Sequence, residues 1–231
     1  MSNFIKLPIR RGFAEVSALF NLIQGRGVIC GGYARYCVSP VLNPAPAGDV
    51  DVYAHTVEDF ESLKKDLRKH LRKSKDNPVS ISYERTIKGD LAYTPQIQLI
   101  KPLVKGRMVG VGPMETILSN FDFTIARAGI LSETEGLVDE LFEKDEIEQR
   151  LRLRNIHCPI SSTLRCTKYV KKGYWLRPAD TLALFLDWDA RSPEYRAEII
   201  EGVKEIEEAI ASNVMLSQDR LTAIYELMTV D

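Results

Sequence analysis

Asp49 and Asp51 stand one residue apart in the run DVDVYAH, and the double glycine Gly31–Gly32 lies upstream in GVICGGYARYCV. In an extended chain, residues i and i+2 point to the same side. As a strand, DVDVYAH therefore sets both carboxylates on one face and Val50 and Val52 on the other. Two anions so placed repel unless a cation lies between them. Magnesium suits that position, because it takes oxygen ligands and keeps sites open for phosphates; manganese can take its place. Two ions held by such a pair would divide the work. One lowers the pKa of an attacking hydroxyl, and the other clamps a triphosphate and the leaving pyrophosphate.

The glycines fit the same chemistry. GVIC reads as a short buried strand and YARYCV as a helix start. Without a Cβ, Gly31 and Gly32 between them let the backbone approach a phosphate closely. The N–H groups of the next turn would point at it, and Arg35, one turn on, would add a charge-assisted contact. A D-x-D or a GG alone is common, and a surface strand with solvated aspartates beside a glycine turn is the plain alternative. The succession of strand, GG, helix, Pro-rich loop and D-x-D strand is what points to a nucleotide site.

The elements around these residues follow from periodicity. Phe13, Val16, Phe20 and Ile23 mark a helix over 13–24. Pro40, Pro44 and Pro46 make a loop before the D-x-D strand. Phe60, Leu63, Leu67 and Leu71 form the buried stripe of a helix over 58–75. VSISYERTI and PQIQLIKP read as strands joined by a turn at Gly89 and Asp90. METILSN is a short helix and FDFTIARAGI a further strand. The resulting order predicts an α+β fold, a mixed sheet with helices packed on it. After about residue 138 the pattern changes and the chain reads as helical: LVDELFEKDEIEQRLRLR, then a basic segment to Gly173, then three more helices, the last capped by Ser217. We expect two domains, 1–145 and 146–231.

Composition excludes several classes. Of 231 residues, 45% are apolar and 27% charged, with a net charge of −1. That is an ordinary globular balance and announces no nucleic-acid or membrane partner. Cys30, Cys37, Cys158 and Cys166 form no C-x-x-C pair and there are three histidines, which argues against a zinc site or a disulfide framework. No apolar run reaches the roughly 18 residues of a membrane span, and the N-terminus lacks the apolar core of a secretion signal. A cytoplasmic location is the expectation.

GG-x-x-R followed by D-V-D-V-Y resembles the signature of the polymerase-β nucleotidyltransferase superfamily, most nearly the head and neck of bacterial-type CCA-adding enzymes and poly(A) polymerases. FDFTIARAG is similar to the family's R-R-D-F-T-I-N segment, with Asp122, Phe123, Thr124 and Ile125 matching. STLRCTKYVKKGY resembles its basic L-R-x-x-R-F segment, with Leu164, Arg165, Lys168 and Tyr169 in the matching places. DELFEKDEIEQRLRLRNI resembles the stretch that precedes it. The likeness runs from about residue 27 to 178.

The resemblance implies a nucleotidyltransferase domain followed by a helical neck. It implies transfer of a nucleoside monophosphate from an NTP to an acceptor, with release of pyrophosphate. Asp49 and Asp51 would hold the metals. Asp122 would be the next acidic residue, either a ribose contact or a third metal carboxylate. Gly31, Gly32, Arg35, Arg165 and Lys168 would contact the nucleotide. The sequence also departs from the family: Asn120 and Phe121 replace the R-R pair, and the E-D-x-x-R base-reading element is matched only weakly, by Asp187 and Arg191 in DWDAR, which better suit a solvated helix end. With 231 residues there is little room for the body and tail that hold tRNA, so CCA addition proper is not expected. An RNA 3′ end is the favoured acceptor. The alternatives are a protein or small-molecule acceptor, or a non-catalytic nucleotide- or RNA-binding module on the same fold.

Gln98 is a residue to watch, because its strand is one where superfamily members can place an acid. The helix over 58–75 carries Lys64, Lys65, Arg68, Lys69, Arg72, Lys73 and Lys75, but also four acids, as an ordinary solvated surface does. Arg165, Lys168, Lys171 and Lys172 fall at roughly helical spacing, interleaved with Tyr169, Tyr174 and Trp175. Such aromatics can stack a base or belong to the core of the neck.

Overall fold

The computed structural model describes residues 3–44, 47–77, 79–84, 96–104, 107–108, 110–217, 220 and 223–224. The chain divides into two compact units, Met1–Asn155 and Ile156–Asp231. The division falls at 155 rather than 145, because residues 148–155 are tied back to the first unit. Arg154 donates its backbone N–H to the Asp122 carbonyl at 2.8 Å, and Thr124 donates to the Arg152 carbonyl at 3.1 Å.

The first unit runs β1 (Phe4–Pro8), α1 (Phe13–Ile23), β2 (Gly27–Cys30), α2 (Gly32–Val38), β3 (Asp49–Ala54), α3 (Val57–His70), β4 (Arg72–Asp76), β5 (Ser80–Glu84) and β6 (Gln96–Ile100). A small hairpin, β7 (Leu103–Val104) and β8 (Arg107–Met108), follows. Then come α4 (Met114–Ser119), a 3-10 turn (Thr124–Ala126), β9 (Ala128–Ile130), β10 (Glu135–Asp139) and α5 (Phe142–Ile147). Eight strands form one sheet in the order β1-β10-β9-β2-β3-β6-β5-β4. β3 and β6 pair in parallel, while their outer neighbours pair antiparallel. The sheet is therefore mixed, as the element order predicts.

The sheet's two faces differ in kind. On the first, Ile29, Val50, Val52, Ala54, Ile97 and Leu99 pack with apolar residues of α1, α2 and α3 in the main core. On the second, α4 covers Val28, Cys30 and Leu137 through Met114, Ile117 and Leu118. The period-two alternation of β3 sends Asp49, Asp51 and Tyr53 to this second face.

Several elements differ from the sequence reading. The helix expected over 58–75 ends at His70, and Arg72–Asp76 is the outer strand β4. All five of its residues are exposed, so no apolar alternation marks it; charged side chains on an edge strand also guard it against stray pairing. Leu71 is buried as the first extended residue rather than as part of the helical stripe. The helix expected over 137–154 is β10 followed by the short α5, because Leu137 and Val138 are drawn into pairing with β1 and β9. β1 itself is an element the periodicity did not reveal. FDFTIARAGI is a 3-10 turn before a three-residue strand. The turn at Gly89 and Asp90, and most of the last helix, lie outside the described residues, although the Ser217 hydroxyl does accept from the Arg220 N–H at 3.2 Å.

The second unit holds α6 (Pro159–Val170), α7 (Pro178–Ala190) and α8 (Pro193–Ala211), each opening on proline, where the missing N–H costs nothing. Tyr169 and Tyr174 are buried there edge to face, 5.7 Å apart. No described helix is long and apolar enough to cross a membrane.

Candidate active site

The second face of the sheet carries one row of side chains in register. Cys30 lies opposite Asp51, Asp51 beside Gln98, and Gln98 opposite Ser82. Asp49 and Asp51 are both partly exposed on this face. The Gln98 amide donates to Asp49 Oδ2 at 2.5 Å. Burial, and then the negative charge of Asp51, push the Cys30 thiol far above its ordinary pKa. Cys30 is therefore a neutral packing group beneath the carboxylates and not a nucleophile.

Gly31 links β2 to α2 in a left-handed conformation, φ 81°, which explains its lack of a Cβ. Space demands it too: a Cβ there would stand 3.3 Å from Asp51 Oδ2 and 3.3 Å from the Phe121 ring. Its N–H donates to the Ala128 carbonyl at 2.8 Å, so that amide is engaged by the sheet. At Gly32 an added Cβ would meet only Ala47, at 3.9 Å. The cradle expected of both glycines is thus divided. Gly31 makes the turn that seats Asp51, and Gly32 is the more open of the two.

Arg35 is not placed as expected. Its side chain is 1% exposed and its guanidinium lies 3.2 Å from Glu146, which is 0% exposed. Ser39 also donates to Glu146, at 2.5 Å. Arg35 is thereby turned into the protein, where it fastens α2 to α5. Arg127 and Arg154 meet on Asp139, with the Arg154 fork at 3.0 and 2.8 Å. Arg152 makes a second fork on Asp145, which also accepts from Thr124. Burial lowers the Arg127 pKa, against the opposing pull of Asp139.

Asp122 is 3% exposed and its charge is felt at Arg127. Among the described residues, no group of three or more His, Cys, Asp or Glu is assembled to hold one metal ion. The donor set that fits a magnesium ion is two hard oxygen donors on one open face, with an amide in the third place.

Arg165 and Lys168 lie exposed on α6, in the second unit. The buried Tyr169 and Tyr174 are core groups, while Trp175 is 47% exposed. Asp187 and Arg191 are closed on each other at 2.9 Å, and Arg191 also donates to the His157 carbonyl. On α3 and β4 much of the basic charge is met locally: Lys64 by Glu61, Lys69 by Asp66, Arg72 by Glu84 and Lys73 by Asp76.

Tyr53, the last residue of the D-V-D-V-Y run, is a site-face residue to which no role was assigned from the sequence. It shares the face of Asp49 and Asp51 and packs edge to face against Phe121, ring centres 5.9 Å apart. The alternation of β3 alone was enough to place it there.

This arrangement, a mixed sheet flanked by helices with the carboxylate strand β3 next to the glycine turn, is the nucleotidyltransferase fold of the solved structures on which the chain superposes. A solved structure of a tRNA-processing enzyme superposes on 86% of this chain with a TM-score of 0.53 and 15% identity. A tRNA nucleotidyltransferase solved with a primer tRNA and an incoming ATP analog matches 78% of the chain with a TM-score of 0.49 and 18% identity. The chain spans about half the length of these structures, 54% and 53%. No family model and no curated protein matches the sequence.

Proposed function

We propose that this chain is a metal-dependent nucleotidyltransferase, which moves a nucleoside monophosphate from an NTP to an acceptor and releases pyrophosphate. The observation that carries the reading is the placing of Asp49 and Asp51 together on the open face of β3, directly beside the Gly31–Gly32 turn. Magnesium, or manganese, would be held by these two carboxylates, and when bound would supply charge neutralisation for the triphosphate and acidify the attacking hydroxyl. Asp51 is seated by the Gly31 turn and Asp49 by Gln98. Gly32 leaves the backbone open to a phosphate. Asp122, whose charge is felt at Arg127, is the further group of the first unit proposed for the nucleotide. An RNA 3′ end is the favoured acceptor, and a cytoplasmic setting suits both substrates.

The test is incubation of the protein with each labelled NTP, magnesium and total RNA, with Asp49→Ala as control. Label should enter RNA with the wild type and not with the variant; equal labelling by both would sink the proposal. A second reading, a nucleotide-binding module without catalysis, draws on Gln98, which sets an amide rather than an acid against Asp49. It predicts that magnesium-NTP raises the melting temperature with no pyrophosphate released across RNA, protein and small hydroxylated acceptors.

A further inference from the structure

We propose that Gln98 is the positioning residue of the two-carboxylate centre: its side-chain amide holds Asp49 in the orientation that receives a divalent cation, in the place of a third acidic ligand. The inference rests on the nucleotidyltransferase reading above and names how that site is built. Gln98 lies level with Asp51 across the parallel β3–β6 pairing, and it reaches diagonally to Asp49, where Nε2 donates to Oδ2 at 2.5 Å. The amide's orientation follows from chemistry, since the reverse arrangement would set its oxygen against a carboxylate oxygen, two acceptors face to face. Behind it, Gln98 Oε1 faces the Ser80 hydroxyl at 3.5 Å. Ser80 is in turn held by Asn77, whose side-chain oxygen accepts the N–H groups of Val79 and Ser80 at 2.9 and 2.8 Å. A chain of polar contacts thus runs from the β4–β5 turn to Asp49.

A hydrogen bond to an ionised acceptor is the stronger, charge-assisted kind, and partners behind a metal ligand fix its orientation. A glutamine does this without adding charge. Two acids and one amide repel one another less than three acids, so the centre can stand without an ion. The cost is affinity, which rises with the number of ligand charges. Gln98 therefore trades tight cation binding for a stable, correctly aimed Asp49.

The test titrates the full chain with manganese chloride, following free Mn2+ by its paramagnetic resonance signal, for wild type, Asp51→Ala, Gln98→Leu and Gln98→Glu. Melting temperatures are read with and without the ion. Gln98→Leu should bind Mn2+ about tenfold more weakly, and Gln98→Glu about tenfold more tightly. Without the ion, Gln98→Glu should melt below wild type through like-charge repulsion, and its melting temperature should rise more than wild type's when Mn2+ is added. The two variants shift affinity in opposite directions, so a loss of folding cannot imitate the result. If wild type binds, Asp51→Ala does not, and both Gln98 variants bind as wild type does, Gln98 is only a structural residue and the inference falls alone. If wild type shows no saturable binding, the nucleotidyltransferase reading falls with it.

Discussion

Asp49 and Asp139 are the same side chain in the same unit, yet they are held in opposite ways. Asp139 is 0% exposed and lies between two guanidiniums, those of Arg127 and Arg154. Asp49 is partly exposed and accepts from a neutral amide. A buried carboxylate needs cations to offset its lost hydration, and once it has them its chemistry is committed to the fold. A carboxylate on an open face, oriented by a group that carries no charge, keeps its charge for a ligand. Asp145 and Glu146 belong to the first kind, held by Arg152 and Arg35. Asp49 of the D-x-D pair is of the second kind.

The largest effect that separates the two kinds is on catalysis. On the proposed function, Asp51→Ala should lower labelling of RNA on the order of 10³-fold or more, since several kcal/mol of metal-derived stabilisation would be lost. Its unfolding free energy should stay within about 1 kcal/mol of wild type, because Asp51 lies on a partly exposed face of the sheet. Urea unfolding beside the labelling assay checks both. Loss of activity with wholesale unfolding would move Asp51 into the class of Asp139.

The converse is expected of Asp139→Ala. Two guanidiniums would be left without their shared partner, one of them on the nearly buried Arg127. The cost of breaking such a pair is about 3–5 kcal/mol, read as a lowered urea midpoint with an unchanged slope. A loss under about 1 kcal/mol would show that water reaches the pair and that the contrast with Asp49 is one of degree.

This contrast bounds what the sequence could reveal. The carboxylate face was legible because its logic is local: period two in DVDVYAH sets Asp49, Asp51 and Tyr53 on one side and the valines on the other. The mixed sheet was legible from the order of its elements. Arg35 was not, because its partner Glu146 lies 111 residues away, and a GG-x-x-R pattern reads the same whether its arginine meets a phosphate or a buried acid. Arg150, Arg152 and Arg154 alternate as a strand does, but nothing local says that Asp145 and Asp139 await two of them. β4 was hidden for a different reason: all its side chains are exposed, so it lacks the apolar signal by which strands are read. Gln98 was visible as a strand residue, while its bond to Asp49 depends on the parallel register of β3 and β6.

The Arg35–Glu146 pair allows a sharper test. Glu146→Leu alone should destabilise by about 3–5 kcal/mol, whereas Arg35→Met with Glu146→Leu should come within about 1 kcal/mol of wild type, since a well-packed apolar pair can replace a buried ion pair. The cycle gives the coupling directly. If Arg35 serves only the fold, the double variant should also keep its KM for NTP within about threefold. Restored stability with a large rise in KM would return Arg35 to the triphosphate.

The smallest effect calibrates the scale. Asp66 on α3 is also paired with cations, but at the surface. Hydrogen bonds from Lys69 and then Arg26 lower its pKa from 3.8 to about 2. Because the folded value lies below the unfolded one, the stabilisation is fully present above pH 3.8 and is lost as the pH falls through about 2. Solvent screens the pair, so Asp66→Asn should cost a few tenths of a kcal/mol at neutral pH and nothing once the pH is below about 2, in low-salt thermal melts. Its acid unfolding curve should converge with that of wild type, whereas Asp139→Ala should remain displaced at neutral pH. If Asp66→Asn proved as damaging as Asp139→Ala, burial would not be what divides structural from available carboxylates, and the reading of Asp49 and Asp51 would lose its physical basis.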